Sequence, residues 1–177
     1  QQQKQLENTY YDTADWSLQH EKIALRIRKD GEAFIQTLKT KGKSDRGLHK
    51  RLEWEWPLAE HRLDTELIPI DHWPMHIQFS RLLPMFKTNF ERRIWVFKHS
   101  DNQGNTAEIE MALDRGFISA EQTTKTIEIC ELELELISGD AEILQQVANL
   151  LTAECPSLTP CDVSKAARGF ALLQSTD

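Results

Sequence analysis

The stretch Cys130-Glu131-Leu132-Glu133-Leu134-Glu135-Leu136 alternates charged and apolar residues with strict period 2. A strand places three carboxylates on one face and the leucines on the other. Same-face neighbours on a strand stand about 7 Å apart. Like charges held that close on a face that excludes water repel and raise one another's pKa, so something cationic should sit in front of them. The same chain supplies the opposite sign in the same pattern. Ala24-Leu25-Arg26-Ile27-Arg28 carries two guanidiniums on one face, and Thr37-Leu38-Lys39-Thr40-Lys41 carries two ammoniums. Acid on some strands and base on others points to a site that holds metal cations and a polyanion together.

Turn chemistry punctuates the chain at Asp30-Gly31, Gly42, Asp101-Asn102-Gln103-Gly104 and Arg115-Gly116. Between these turns, strands are expected at 7–11, 23–28, 33–41, 49–57, 90–99, 107–115, 117–121 and 126–137. Short connections make them antiparallel. Three helices are expected. One lies near 74–84, with Ile77, Leu82 and Leu83 as its apolar stripe. A second covers 141–154, capped by Asp140, with Ile143, Leu144, Val147, Leu150 and Leu151 on one face. The third covers 165–174, capped by Ser164, with Lys165 and Arg168 on one side. The fold class is therefore α+β, dominated by antiparallel sheet. The alternation fits either an open sheet with a wet polar face or a closed barrel with a polar interior and helices over its apolar outside.

At 177 residues the chain fits a single domain, 1–177. No apolar run approaches the roughly 20 residues of a membrane-spanning helix. Three cysteines, Cys130, Cys155 and Cys161, are too few and too scattered for a disulfide framework or a zinc site, and are read as reduced thiols of a cytoplasmic protein. A net charge of −7 argues against nucleic acid as a partner. The start, Gln1-Gln2-Gln3-Lys4-Gln5, has neither Met nor an apolar leader, which is read as residues lost at the N-terminus.

Three acidic sets suit hard divalent cations, which take carboxylate oxygens. They are Glu131, Glu133 and Glu135; Glu108, Glu110 and Asp114; and Glu53 and Glu55. The basic set of Arg26, Arg28, Lys39, Lys41, Arg51 and Arg92 suits a chain of phosphates. The alternative for each set is a solvated face with cross-strand ion pairs. Trp54 and Trp56 alternate with Glu53 and Glu55 and should face the apolar layer.

Taken in order, Tyr10-Tyr11-Asp12-Thr13, Leu25-Arg26-Ile27-Arg28, Leu38-Lys39-Thr40-Lys41-Gly42, Arg51-Leu52-Glu53, Phe90-Glu91-Arg92-Arg93, Glu110-Met111-Ala112-Leu113-Asp114-Arg115-Gly116, Glu131 to Leu136 and Ser164 to Gly169 resemble the triphosphate tunnel metalloenzymes of the CYTH superfamily. The resemblance is to the bacterial inorganic triphosphatase branch above all. It implies a closed or nearly closed eight-stranded antiparallel barrel forming a tunnel. It also implies a metal-dependent triphosphatase that hydrolyses inorganic triphosphate to pyrophosphate and phosphate, with Mg²⁺ or Mn²⁺ as cofactor. Carried onto this chain, it makes Arg26, Arg28, Lys39, Lys41, Arg51, Arg92, Lys165 and Arg168 the phosphate-binding residues. Glu110, Asp114, Glu131 and Glu133 become the metal ligands, and Glu133, Glu135 and Lys39 the catalytic groups. The implied partner is a triphosphate-containing small molecule, with no nucleic acid and no membrane. Within the same fold an adenylyl cyclase or an organic triphosphatase stands as an alternative. A non-catalytic polyphosphate-binding module is another. The family's N-terminal Glu-x-Glu-x-Lys strand has no counterpart here. Without it the barrel is expected to have an open edge and an incomplete metal site, with dimer formation as one way of covering the edge.

Overall fold

The computed structural model describes residues 1–45, 48–50 and 52–175. Among the described residues nine strands and three α-helices follow in chain order. They are β1 (Gln2–Asp12), α1 (Ser17–His20), β2 (Ala24–Asp30), β3 (Ala33–Lys39), β4 (Lys43–Asp45), β5 (Leu48–Lys50), β6 (Glu53–Leu58), β7 (Leu83–Ser100), β8 (Thr106–Ser119), β9 (Thr126–Gly139), α2 (Ala141–Glu154) and α3 (Lys165–Gln174). Seven strands form one sheet in the order β6-β3-β2-β1-β7-β8-β9, and β4 and β5 make a separate two-stranded ribbon. Every pairing is antiparallel; short turns require this for β2–β3, β7–β8 and β8–β9, whereas β1–β7 and β3–β6 pair across longer connections.

The expected eight-stranded barrel is corrected in one respect. Among the described residues seven strands are joined, and β6 and β9 each end the sheet with one neighbour, so the sheet is open. Its ends nevertheless face each other across the concave side, because Glu135 of β9 lies within electrostatic reach of Glu53 on β6 and Lys39 on β3.

Several expected elements change. The strand expected at 49–57 is divided between β5 in the ribbon and β6 in the main sheet. The apolar stripe at 74–84 does not make a helix. Pro74 and Pro84 interrupt any long helical run, and the segment instead contains a 3₁₀ turn at Phe79–Arg81, preceded by another at Ile70–His72. Ile77 and Trp73 are buried, Leu83 is largely exposed, and β7 begins at Leu83 rather than at 90. The segments 107–115 and 117–121 are one strand, β8, running straight through Gly116. A side chain at Gly116 would place its Cβ 2.1 Å from the Asn89 carbonyl oxygen and 2.5 Å from the Phe90 Cα. The glycine is there to let β7 approach, and it does not turn the chain.

The core splits by face. On the convex side Leu18, Ile23, Leu25, Leu38, Ile68, Trp73 and Ile77 pack with Trp54 and Trp56 under α1 and the 3₁₀ turns. Ala107 and Ile109 pack with Ile143 and Val147 of α2, whose N-terminus is capped by Asp140 accepting from the Glu142 amide at 2.8 Å. Leu150, expected on that buried face, is half-exposed. On the concave side Leu6, Tyr10, Phe86, Phe90, Ile118 and Ile129 receive Phe170, Leu172 and Leu173 of α3. Gly169 makes that docking close, since a Cβ there would sit 2.0 Å from Phe86 Cε2. The apolar outside is thus covered by helices and turns, while the other end of the concave face is left to the charged residues.

Candidate active site

The strand register assembles the acidic wall. Arg92 on β7 lies directly opposite Asp114 on β8, which lies opposite Glu131 on β9. Period 2 along β9 adds Glu133 to the same face. Asp114 is fully buried and accepts two hydrogen bonds from Arg92, Nε to Oδ1 and Nη2 to Oδ2, both 2.7 Å. This is the bidentate geometry in which a guanidinium binds a carboxylate best. Lys165, at the first turn of α3, brings its Nζ to 2.7 Å from Asp114 Oδ2 and 2.9 Å from Glu133 Oε1, and it also donates to Glu131. Arg92 reaches Glu133 as well, and Arg168 donates to Glu131. Three carboxylates and three cations therefore interlock. Burial alone would push the Glu133 carboxyl up, but Lys165 and Arg92 hold it well below the usual carboxylate range. The same attraction outweighs the desolvation of Arg92 and Lys165 and raises both. Phe90 forms the floor, its ring 5.0 Å from Lys165 Nζ and 5.7 Å from Arg92 Cζ.

The basic wall is built differently. Arg26 on β2 is buried, yet its Nη2 is 3.9 Å from Glu55, its Nη1 is 3.5 Å from the Tyr10 hydroxyl, and its Nε has no partner among the described residues. Arg28 donates from Nε to Asn8 Oδ1 at 3.0 Å. Burial, then the charges of Arg26 and Arg92, pull the Arg28 guanidinium down to about 10. Among the described residues Glu55 is the carboxylate that acts on both guanidiniums, and it also accepts from Thr37 Oγ1 at 3.2 Å. A buried cation without full hydrogen bonding is costly, and an anion with several oxygens could complete this wall.

Lys39 pairs with Glu53 at 2.7 Å. Lys41 lies past the end of β3 and is exposed. Arg51 lies outside the described residues. Glu110 pairs in register with Glu135. Burial, followed by the charges of Glu110 and Glu53, raises the Glu135 carboxyl above its ordinary value. Of the residues expected from sequence, Arg92, Asp114, Glu131, Glu133, Lys165 and Arg168 are therefore brought into one cluster. Arg26 and Arg28 form its counterpart, and Lys39, Glu110 and Glu135 lie toward the sheet's open ends.

The donor set fits a hard divalent cation. Oxygens of Asp114, Glu131 and Glu133 all lie within 4.8 Å of one another, and carboxylate oxygen is the ligand type that Mg²⁺ and Mn²⁺ prefer. Glu110 is not part of that trio. Sequence reasoning missed Asn8 and Thr88, which are buried beside Arg28. Their signal was present in the alternation, because Asn8 shares its strand face with Leu6 and Tyr10. Tyr10-Tyr11-Asp12-Thr13 has a different role. Asp12 is buried and accepts from the amides of Thr13, Leu18 and Gln19 at 2.7–2.9 Å, tying β1 to α1.

The CYTH domain family matches residues 1–170. A Haemophilus influenzae protein described as an inorganic triphosphatase is 36% identical over 172 residues, covering 94% of this chain and 46% of that protein. The chain thus spans just under half the length of that relative. Among solved structures, a candidate adenylate cyclase from Bacillus halodurans superposes with a TM-score of 0.60 at 21% identity, covering 95% of this chain and 83% of that one. A candidate adenylyl cyclase from Hippeastrum, described as having a dominant triphosphatase activity, superposes at 0.59 with 16% identity, over 99% and 83%. These two likenesses speak to the fold alone. With the family match running over nearly its whole length and the curated relative above a third identical, the chain belongs to the CYTH domain family.

Proposed function

We propose that this domain carries out divalent-metal-dependent hydrolysis of inorganic triphosphate to pyrophosphate and phosphate. The observation that carries the reading is the contrast between the two walls. The carboxylate trio is matched charge for charge, whereas Arg26, buried, and Arg28, part-buried, stand close together and have few anionic partners among the described residues. A linear polyphosphate has the oxygens and the charge to complete the basic wall. The curated relative's description as an inorganic triphosphatase supports the choice among polyphosphates.

In this reading Arg26, Arg28 and Arg92 grip phosphate oxygens, with Lys39, Lys41, Arg51, Lys165 and Arg168 adding positive charge along the cleft. Asp114, Glu131 and Glu133 would hold Mg²⁺ or Mn²⁺, which supplies Lewis-acid neutralisation of phosphoryl charge when bound, with Glu110, opposite Glu135 in register, as a further candidate ligand. Lys165, Arg92 and Arg168 occupy those oxygens and must yield part of them. Glu135, its pKa raised, accepts the proton of the attacking water. The water oxygen bonds to the terminal phosphorus, the P–O bridge breaks, and the leaving pyrophosphate is neutralised by the arginines. An eighth strand between β6 and β9 would close the sheet into a barrel and complete the cation site. The three cysteines, all exposed, fit a reducing, cytoplasmic setting.

The test is phosphate release from tripolyphosphate with Mg²⁺ and with EDTA. It is run on this chain and on the chain extended by a Glu-x-Glu-x-Lys strand. Metal-dependent release supports hydrolysis. Cyclic nucleotide and pyrophosphate formed from ATP would point to a cyclase, and binding without turnover in both forms would point to a polyphosphate-binding module.

A further inference from the structure

Across β2, β1 and β7 three residues stand directly opposite one another: Arg28, Asn8 and Thr88. Asn8 and Thr88 are almost wholly shielded from solvent, 1% and 0% exposed. Arg28 Nε donates to Asn8 Oδ1 at 3.0 Å, and Asn8 Nδ2 donates to Thr88 Oγ1 at 2.9 Å. The orientation of the amide is fixed by chemistry. A guanidinium nitrogen can only donate, so the oxygen of Asn8 must face it, and the NH₂ is left for an acceptor on the far side. Thr88 provides that acceptor. The Nη groups of Arg28 have no hydrogen bond to any described residue.

We propose that Asn8 is a positioning residue for the polyanion site. It holds Arg28 by its Nε edge with a neutral acceptor, so that both Nη groups and the full positive charge stay available to phosphate. An aspartate in its place would make the same hydrogen bond while neutralising the charge. An aliphatic residue would leave the part-buried guanidinium free to turn toward Glu55, whose charge already acts on it. Bidentate recognition of phosphate depends on a fixed fork, and Asn8 together with Thr88 fixes it. The inference rests on the reading of the cleft as a polyphosphate site.

A double-mutant cycle tests it, with tripolyphosphate binding measured by titration calorimetry without metal. Asn8→Leu and Asn8→Asp are each expected to weaken binding about 10-fold, as for loss of one hydrogen bond to a charged group. Thr88→Val is expected to act in the same direction but less. In an Arg28→Ala background all three should lose their effect, because their only route to the ligand has been removed. A merely structural role would give the same loss in both backgrounds and would overturn the inference, as would unchanged affinity in Asn8→Asp, the variant nearest in size to the native residue. A wild-type chain that fails to bind tripolyphosphate would instead overturn the reading of the cleft, and this inference with it.

Discussion

At the scale of single residues, the cleft is governed by how completely each charge is answered. Arg28 feels the charges of Arg26 and Arg92 more than that of Glu55, so Arg28→Ala is expected to raise the KM for tripolyphosphate about 10- to 100-fold, the range for losing hydrogen bonds to a charged group. Steady-state kinetics check this. Glu133→Gln should act mainly on metal-dependent kcat. The two glutamates of β9 should also have opposite effects on stability. Glu133 is depressed in the folded state, so its contribution is fully present above the unfolded value, roughly 4.3, and is lost as pH falls through the folded one. Its side chain keeps 48% of its surface open to solvent, and screening limits the effect. Glu135 is raised, so its charge works against folding above the unfolded value. Urea denaturation at pH 7 and pH 4 should therefore show Glu133→Gln less stable than wild type, with the deficit shrinking in acid. It should show Glu135→Gln more stable at pH 7 and equal to wild type at pH 4.

Among the elements, α3 is the one on which the acidic wall depends. Its apolar half docks on Phe86 and Phe90, and its first turn delivers Lys165 to three carboxylates. Gly169→Ala forces a methyl into the Phe86 ring and is expected to cost about 1–3 kcal/mol by overpacking, measurable by chemical denaturation. Lys165→Met removes a partner from the buried Asp114 and should cost about 3–5 kcal/mol. Part of that loss should be recovered on adding Mg²⁺, read as a larger rise in Tm than in wild type. The contribution of α3 was only half legible in the sequence. Helical spacing puts Lys165 and Arg168 on one side, but local periodicity cannot say that they meet glutamates more than thirty residues away. Elsewhere, β9 was legible because strict alternation has only one extended solution. The start of β7 was not, because Leu82-Leu83-Pro84 mimics the end of a helix. Gly116 looked like a turn, but it permits close strand packing within β8.

For the whole molecule, an apolar outside and an inside divided between the charged cleft and the apolar seat of α3 follow from period-2 alternation combined with helices and turns laid over the strands. The sequence distinguished the two faces of each strand but not the closure of the sheet. Closure depends on which strands pair at the ends, and β6 and β9 are unpaired to each other. The acids of β9 and the base of β3 still act on one another across that opening. The central claim is that these walls enclose a metal-dependent triphosphatase site. The most direct measurement is the release of phosphate from tripolyphosphate, with Mg²⁺ and with EDTA, by the chain carrying an added Glu-x-Glu-x-Lys strand and by its Arg28→Ala variant. The account predicts hydrolysis that requires metal and that, at limiting substrate, falls at least 10-fold in the variant. Hydrolysis insensitive to both EDTA and Arg28→Ala, or no turnover at all, would contradict it.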